Sequence, residues 1–108
     1  MIAQGFTAHQ FYELDGATPD GGQTFGTGFT IAWQRGPLGR GEERQPPNGA
    51  FVEDIIEAAI DRLEFYQRSK FASHYNADAI RHLRAAVDCL QARTADRENR
   101  QVEGTHAD

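Results

Sequence analysis

The chain has 108 residues, 39% of them hydrophobic, and a formal net charge of -5. This length allows one domain with a modest core, and self-association is a common way for so small a chain to bury more apolar surface. The negative charge argues against a protein that grips duplex nucleic acid by its phosphates, because that task needs a basic face. A net negative charge is still compatible with binding of a small anionic ligand by two or three arginines.

The sequence predicts a cytoplasmic protein. No apolar run approaches the roughly 20 residues of a membrane span. The N-terminus has no basic segment followed by an apolar one, so no signal peptide is expected. Cys89 is the only cysteine, which excludes an intramolecular disulfide, and its place beside an apolar stripe predicts a small buried thiol.

Residues 1–49 read as strands and turns, because they hold all four prolines and most of the glycines. We expect a short strand at residues 10–14, a turn at 18–22, a longer strand at 24–35 and a polar loop at 38–49. Strict alternation predicts the inward face of the longer strand. That face carries Phe25, Thr27, Phe29, Ile31 and Trp33.

Residues 50–100 lack glycine and proline and read as two helices joined by a connector at 68–75. The first apolar stripe contains Val52, Ile55, Ile56, Ala59, Leu63 and Tyr66. The second contains Ile80, Leu83, Val87, Leu90 and Thr94, and Asn76 is a good N-cap for its helix. We therefore predict an α+β fold in a single domain, residues 1–108. It comprises a small antiparallel sheet (1–49), an antiparallel α-helical hairpin (50–100) and a C-terminal tail (101–108), in an oligomer. On composition alone, the polar segment 94–108 would be a frayed tail.

No pattern in the chain argues for catalysis, a metal or a cofactor. None of the four histidines has the spacing of a metal ligand. Gly26 and Gly28 lie inside a predicted strand that no helix follows directly, which is not the context of a phosphate loop. The many Asp and Glu residues fall mostly on solvated helix faces.

The connector is unusually rich in aromatic side chains. These are Phe65, Tyr66, Phe71, His74 and Tyr75. They read equally well as a hydrophobic plug that closes the hairpin or as a stacking platform for a nucleobase. Asn76 beside them is either a plain cap or a hydrogen-bonding partner for a base or ribose.

Three arginines lie toward the other end of the second helix: Arg93, Arg97 and Arg100. They are interpreted either as solvated surface charge or as a clamp for phosphates. Asn76 and Arg93 are 17 positions apart, which is about 25 Å along a helix. They cannot contact the same small ligand within one chain. A site that uses both would lie between two chains, and a symmetric dimer would carry two such sites.

Two runs of the hairpin resemble a known family of small phage proteins. The first is Arg62-Leu63-x-x-Tyr66-Gln67 with Phe71-Ala72 and Asn76-Ala77, followed by Leu83-x-x-Ala86-x-x-x-Leu90. The second is Arg93-Thr94-x-Asp96-Arg97-x-x-Arg100-x-Val102-Glu103-Gly104-Thr105-His106. With similar pieces upstream, residues 24–106 resemble the first Thoeris anti-defence family. Its hairpin fold is related to the phage sponges that counter cyclic-oligonucleotide (CBASS) immunity.

The resemblance implies a protein that does no chemistry. Members of the family capture glycocyclic ADP-ribose, the signal of Thoeris immunity, in pockets between the protomers of dimers or hexamers. An aromatic residue, an asparagine and an arginine of that pocket match Tyr66, Asn76 and Arg93 here. Phe71, Thr94 and Arg97 complete the ligand-binding residues that we predict.

Some members also bind cyclic trinucleotides at a separate site, for which Arg35, Arg40 and Arg44 are the candidates here. The first 34 residues contain no Lys or Arg, so any basic pocket residue from that region is missing or comes from elsewhere. Three alternatives stay open. They are a sponge for CBASS cyclic di- or trinucleotides, a structural or regulatory phage protein whose hairpin only dimerises and, least favoured, an enzyme that cleaves the signal.

Overall fold

The structure is a computed structural model that describes residues 7–106. The start of the chain, where no signal peptide is expected, and the last two residues of the predicted tail lie outside this range. The chain forms two compact units. The first holds the strands, the loop after them and the residues from Val102 onward, and the second is Val52–Gln101. Together they give the α+β fold with a C-terminal helical hairpin that the sequence predicts.

The first unit contains a three-stranded antiparallel sheet in the order β1-β2-β3. Its strands are β1 (Thr7–Glu13), β2 (Pro19–Gly26) and β3 (Phe29–Ala32). The predicted turn at residues 18–22 is wrong, because the chain reverses just before it, at residues 14–18. There the Asp15 carboxylate accepts the backbone N–H groups of Thr18 and Ala17, which lower its pKa. Pro19 then begins β2.

The long strand predicted at residues 24–35 is also wrong, because it is a hairpin with a two-residue turn. Gly28 in this turn has φ +89°, which favours glycine. Residues directly opposite each other share a face of the sheet, and Phe25 pairs with Thr30 while Thr24 pairs with Ile31. Phe25 therefore lies on the face opposite to Ile31, although simple alternation placed the two together.

The centre of the sheet is organised by a buried hydroxyl rather than by an apolar side chain. Thr24 is 6% exposed, and its Oγ1 accepts the indole N–H of Trp33 at 2.8 Å. The same oxygen lies 3.0 Å from Nδ1 of His9 on β1. Gly22 lets β1 approach closely, because a Cβ atom there would lie 2.0 Å from the carbonyl oxygen of Gln10.

The tail and the loop of the first unit are joined. A short 3-10 helix, Gly41–Glu43, lies in the loop, and the Gly39 N–H donates to the carbonyl of Gly104 at 2.8 Å. Arg44 donates twice to the carboxylate of Glu103. The expectation of a frayed tail is therefore wrong for residues 102–106, because contacts across about 60 positions of sequence hold them in place.

The second unit is the antiparallel hairpin of α1 (Val52–Gln67) and α2 (His74–Asn99). Its most buried side chains are Ile60, 1% exposed, and Val87, 6% exposed. The predicted stripe on α1 was wrong at Val52, which is exposed at the start of the helix, and at Ala59, which is exposed because the facing position is Ile60 one residue later. Cys89 is exposed rather than buried, because it lies two positions beyond Val87 and so faces away from α1.

Candidate ligand-binding site

The connector between the helices is held in one conformation by the side-chain amide of Gln67. Its Nε2 donates to the Ser73 carbonyl and its Oε1 accepts the Ser73 N–H, both at 2.9 Å. Ser73 in turn caps α2, because its Oγ accepts the N–H of Asn76 at 3.1 Å. The loop is thus closed by paired polar groups, so that its aromatic side chains project from a fixed backbone.

Asn76 lies in the first turn of α2 and is not its N-cap. The helix begins two residues earlier because Ser73 supplies the capping oxygen. The Asn76 side-chain Nδ2 donates to Gln67 Oε1 at 3.0 Å and to the Phe71 carbonyl at 2.9 Å. Among residues 7–106, no hydrogen bond uses its Oδ1. The amide is therefore oriented by its donors, while its acceptor is left for another molecule.

Four aromatic rings lie in the connector or next to it on the helices. Tyr66 is half-buried and meets Phe71 edge-on, with 6.3 Å between ring centres. Phe65 lies 6.2 Å from Tyr66 and is 48% exposed, while Tyr75 is 74% exposed. A plug would bury these rings, whereas Phe71 is 63% exposed. The exposure favours a surface that a flat ligand can cover.

Cations accompany the rings. Arg62 lies over Phe65 and Tyr66, and Lys70 lies 5.5 Å from the centre of the Phe71 ring. Residues 65–77 contain no Asp or Glu. Residues 65–77 are therefore locally positive, although acidic residues lie on the helices at either side. Cations next to exposed rings suit a ligand that is both aromatic and anionic.

The arginines predicted at the other end of α2 are not near the connector. Arg93 is exposed and makes no ion pair or hydrogen bond within the described part of the chain. Thr94 donates its hydroxyl to the Leu90 carbonyl, Arg97 is half-buried, and Arg100 pairs with Asp96 at 3.1 Å. The structure thus brings Tyr66, Phe71 and Asn76 together and leaves Arg93, Thr94 and Arg97 about five to six helical turns away.

The candidates for a second nucleotide site are engaged within the first unit. Arg35 pairs with the buried Asp20 at 3.3 Å. Arg40 donates to the backbone carbonyl of Glu103 at 2.9 Å, and Arg44 holds the Glu103 carboxylate through both terminal nitrogens. A phosphate that binds Arg44 would have to compete with this carboxylate.

Reasoning from the sequence missed two α1 residues that contact the connector or its rings, Gln67 and Arg62. Both lie in the motif quoted above, but their contacts depend on side-chain geometry. Within residues 7–106, no group of three or more His, Cys, Asp or Glu side chains is arranged to hold a metal ion. None of the described helices is both long and apolar enough to cross a membrane.

Comparison with known proteins finds a relative among phage proteins, although no family model matches the chain. The relative is "Thoeris anti-defense 1" of Bacillus phage SBSphiJ7, which is 43% identical over 77 residues. The match covers 71% of this chain, and the chain spans about half (51%) of the length of that relative. Over the matched residues the chain therefore belongs to the Thoeris anti-defence family, which confirms the resemblance drawn from its motifs.

Proposed function

We propose that this protein binds the glycocyclic ADP-ribose signal of Thoeris immunity, in its 1''-3' or 1''-2' linked form, and sequesters it without cleaving it. The observation that carries the proposal is the connector. It combines a stacking ring, an oriented amide with a free acceptor and a local excess of positive charge. The name of the relative supports an anti-Thoeris role for the family.

Each proposed pocket residue has a specific task. Tyr66 stacks on the adenine, with Phe71 contacting its edge, since every base offers a π-face to an aromatic side chain. Asn76 accepts a hydrogen bond at Oδ1 from the adenine amine or a ribose hydroxyl. Arg93 of a second protomer, supported by Thr94 and Arg97, stacks on the base or holds a phosphate.

Sequestration follows from mass action and needs no turnover. A protein made in excess of the signal lowers the free concentration in the cytoplasm of the infected host, so that the Thoeris effector stays unoccupied. The hydroxyls nearest to Tyr66 and Asn76 belong to Ser69 and Ser73, and both are engaged with backbone groups of the connector. We accordingly propose that the protein is not an enzyme.

The proposed pocket requires assembly into dimers or hexamers. Among the described residues only Ile60 and Val87 are buried apolar side chains, while nine large hydrophobic side chains are exposed. So small a core favours association with further copies. Assembly would also bring Arg93 of one protomer to the connector of another.

The proposal is tested by mixing pure protein with each isomer, removing free ligand by filtration, denaturing by heat and analysing the released material by mass spectrometry. We expect the intact signal to be retained and then released. Tyr66→Ala should bind about 10–100-fold more weakly, and Tyr66→Phe, which keeps the stacking face, within about threefold of the wild type. Release of a changed product would contradict sequestration. Passage of both isomers through the filter would contradict the proposed ligand.

Cyclic di- or trinucleotides of CBASS immunity are the second candidate ligands. Arg35, Arg40 and Arg44 lie within ten residues of one another and are the candidates for a separate anion-binding site in the first unit, where a phosphate would compete with their present partners. Cyclic trinucleotides are the probe, and the loss of their binding on Arg40→Ala would support this function. A protein that binds neither class of nucleotide would instead fit a structural or regulatory role.

A further inference from the structure

Arg62 is an arginine that lies against the aromatic cluster without a partner of its own. Its guanidinium carbon lies 5.0 Å from the centre of the Tyr66 ring and 5.1 Å from that of Phe65. Positions i, i+3 and i+4 are neighbours on a helix surface, which explains why α1 places these three side chains together. Within residues 7–106, the Arg62 side chain makes no hydrogen bond and no ion pair.

The carboxylates on either side of the connector are already paired. Glu64 forms an ion pair with Arg84 across the hairpin, and Asp78 pairs with Arg81 at 3.1 Å. Asp61, the residue before Arg62, makes no ion pair with it, because successive side chains project about 100° apart around the helix axis. The five N–H donors of the Arg62 guanidinium are therefore available to a ligand.

We infer that Arg62 binds a phosphate of the nucleotide whose base stacks on Tyr66, an inference that rests on the function proposed above. A guanidinium forms paired hydrogen bonds with phosphate oxygens and also stays in favourable contact with an aromatic face. Arg62 thus couples the two halves of the ligand, because it contacts the stacking ring and the anion together. It makes the site selective for phosphorylated ligands over nucleosides that carry the same base.

The test compares Arg62→Met and Arg62→Lys with the control Arg68→Met. Arg68 is also exposed and unpaired within the described chain, but it contacts no ring. We expect Arg62→Met to bind the cyclic ADP-ribose isomers about 10–100-fold more weakly, with a shallower salt dependence. The affinity of Arg62→Lys should lie between those of this variant and the wild type, since lysine keeps the positive charge but lacks the paired N–H donors of a guanidinium. Arg68→Met should stay within about threefold of the wild type.

Adenosine, which has the base and no phosphate, separates anion binding from a structural role. Its affinity should be the same for the wild type and Arg62→Met, and the melting temperatures of the two proteins should agree. If Arg62→Met weakened adenosine binding and signal binding equally, Arg62 would only position the Tyr66 ring, and the inference would be overturned. Unchanged signal binding by Arg62→Met would overturn it while leaving the proposed function intact. Failure of the wild type to bind either isomer would overturn both.

Discussion

The two ends of α2 differ in how firmly their polar side chains are held. In the first turn, the backbone N–H and the side-chain Nδ2 of Asn76 are bonded to Ser73, Gln67 and Phe71. Toward the last turns, Arg93 is exposed and unpaired within the described residues. A residue held before binding loses little conformational entropy on binding, whereas a free arginine loses up to about 2 kcal/mol. We expect the connector end to supply the preorganised contacts of the proposed pocket and Arg93 to supply an adaptable one.

The largest effect on stability is expected from Gln67→Ala, which removes the side chain that holds the connector end. The substitution removes two hydrogen bonds to Ser73 and the one from Asn76, so we expect a loss of about 2–4 kcal/mol in the free energy of unfolding. Chemical denaturation monitored by circular dichroism measures it. Gln91→Ala is the matched control, because Gln91 is exposed on α2 and its side chain makes no hydrogen bond in the described chain. Equal midpoints for the two variants would show that the amide does not hold the connector.

A smaller effect is expected from Arg93→Ala, which should weaken ligand binding and leave stability unchanged. We expect affinity for the signal to drop about tenfold, through loss of a charge-assisted contact, with the unfolding midpoint unchanged. Isothermal titration and a thermal melt measure the two quantities. A loss of stability comparable to that of Gln67→Ala would contradict the contrast between the ends.

Mixing variants would show whether the two ends meet across a protomer boundary. Asn76→Ala protein and Arg93→Ala protein each lack one side of every site, so each should bind poorly alone. In a mixed dimer one of the two sites has both native residues, and random exchange should restore binding to about a quarter of all sites. No recovery after verified subunit exchange would place the two residues in separate sites.

The smallest effect is expected from Glu103→Gln, in the segment that follows α2. Glu103 and Arg44 form a two-pronged ion pair that is partly exposed, which contributes about 0.5–1 kcal/mol. We expect faster hydrogen exchange at residues 102–106, measured by mass spectrometry, with hairpin exchange unchanged. Unaltered exchange in this segment would mean that the backbone bond between Gly39 and Gly104 is sufficient to hold the tail.

The hairpin was predictable because its signals are local. Apolar residues at steps of three and four define α1 and α2, and the absence of glycine and proline from residues 50–100 sets their extent. The aromatic connector and the family motifs were likewise readable, because they are short runs of specific residue types. The part of the candidate site that lies at the connector could therefore be named from sequence.

The sheet was harder to predict because its signals compete. The alternation of side chains continues from Thr24 to Arg35 across the turn at Thr27-Gly28, so the sequence pattern of the hairpin is that of a single strand. In the same way Pro19-Asp20-Gly21-Gly22 has turn composition, yet β1 pairs with this segment and makes it the first half of β2. Pairing between strands overrode the local preference, as it often does in sheets.

The sequence by itself determined the helical hairpin, the location of its aromatic connector and the family of the chain. Only the tertiary structure decided that Ser73 rather than Asn76 caps α2, which frees the Asn76 amide to brace the connector and present its oxygen. It also decided that Arg44 is joined to Glu103, whereas Arg62 is left without an acidic partner. Periodicity and motifs report on neighbours along the chain. Hydrogen bonds and ion pairs depend on which distant side chains the fold brings within about 3 Å.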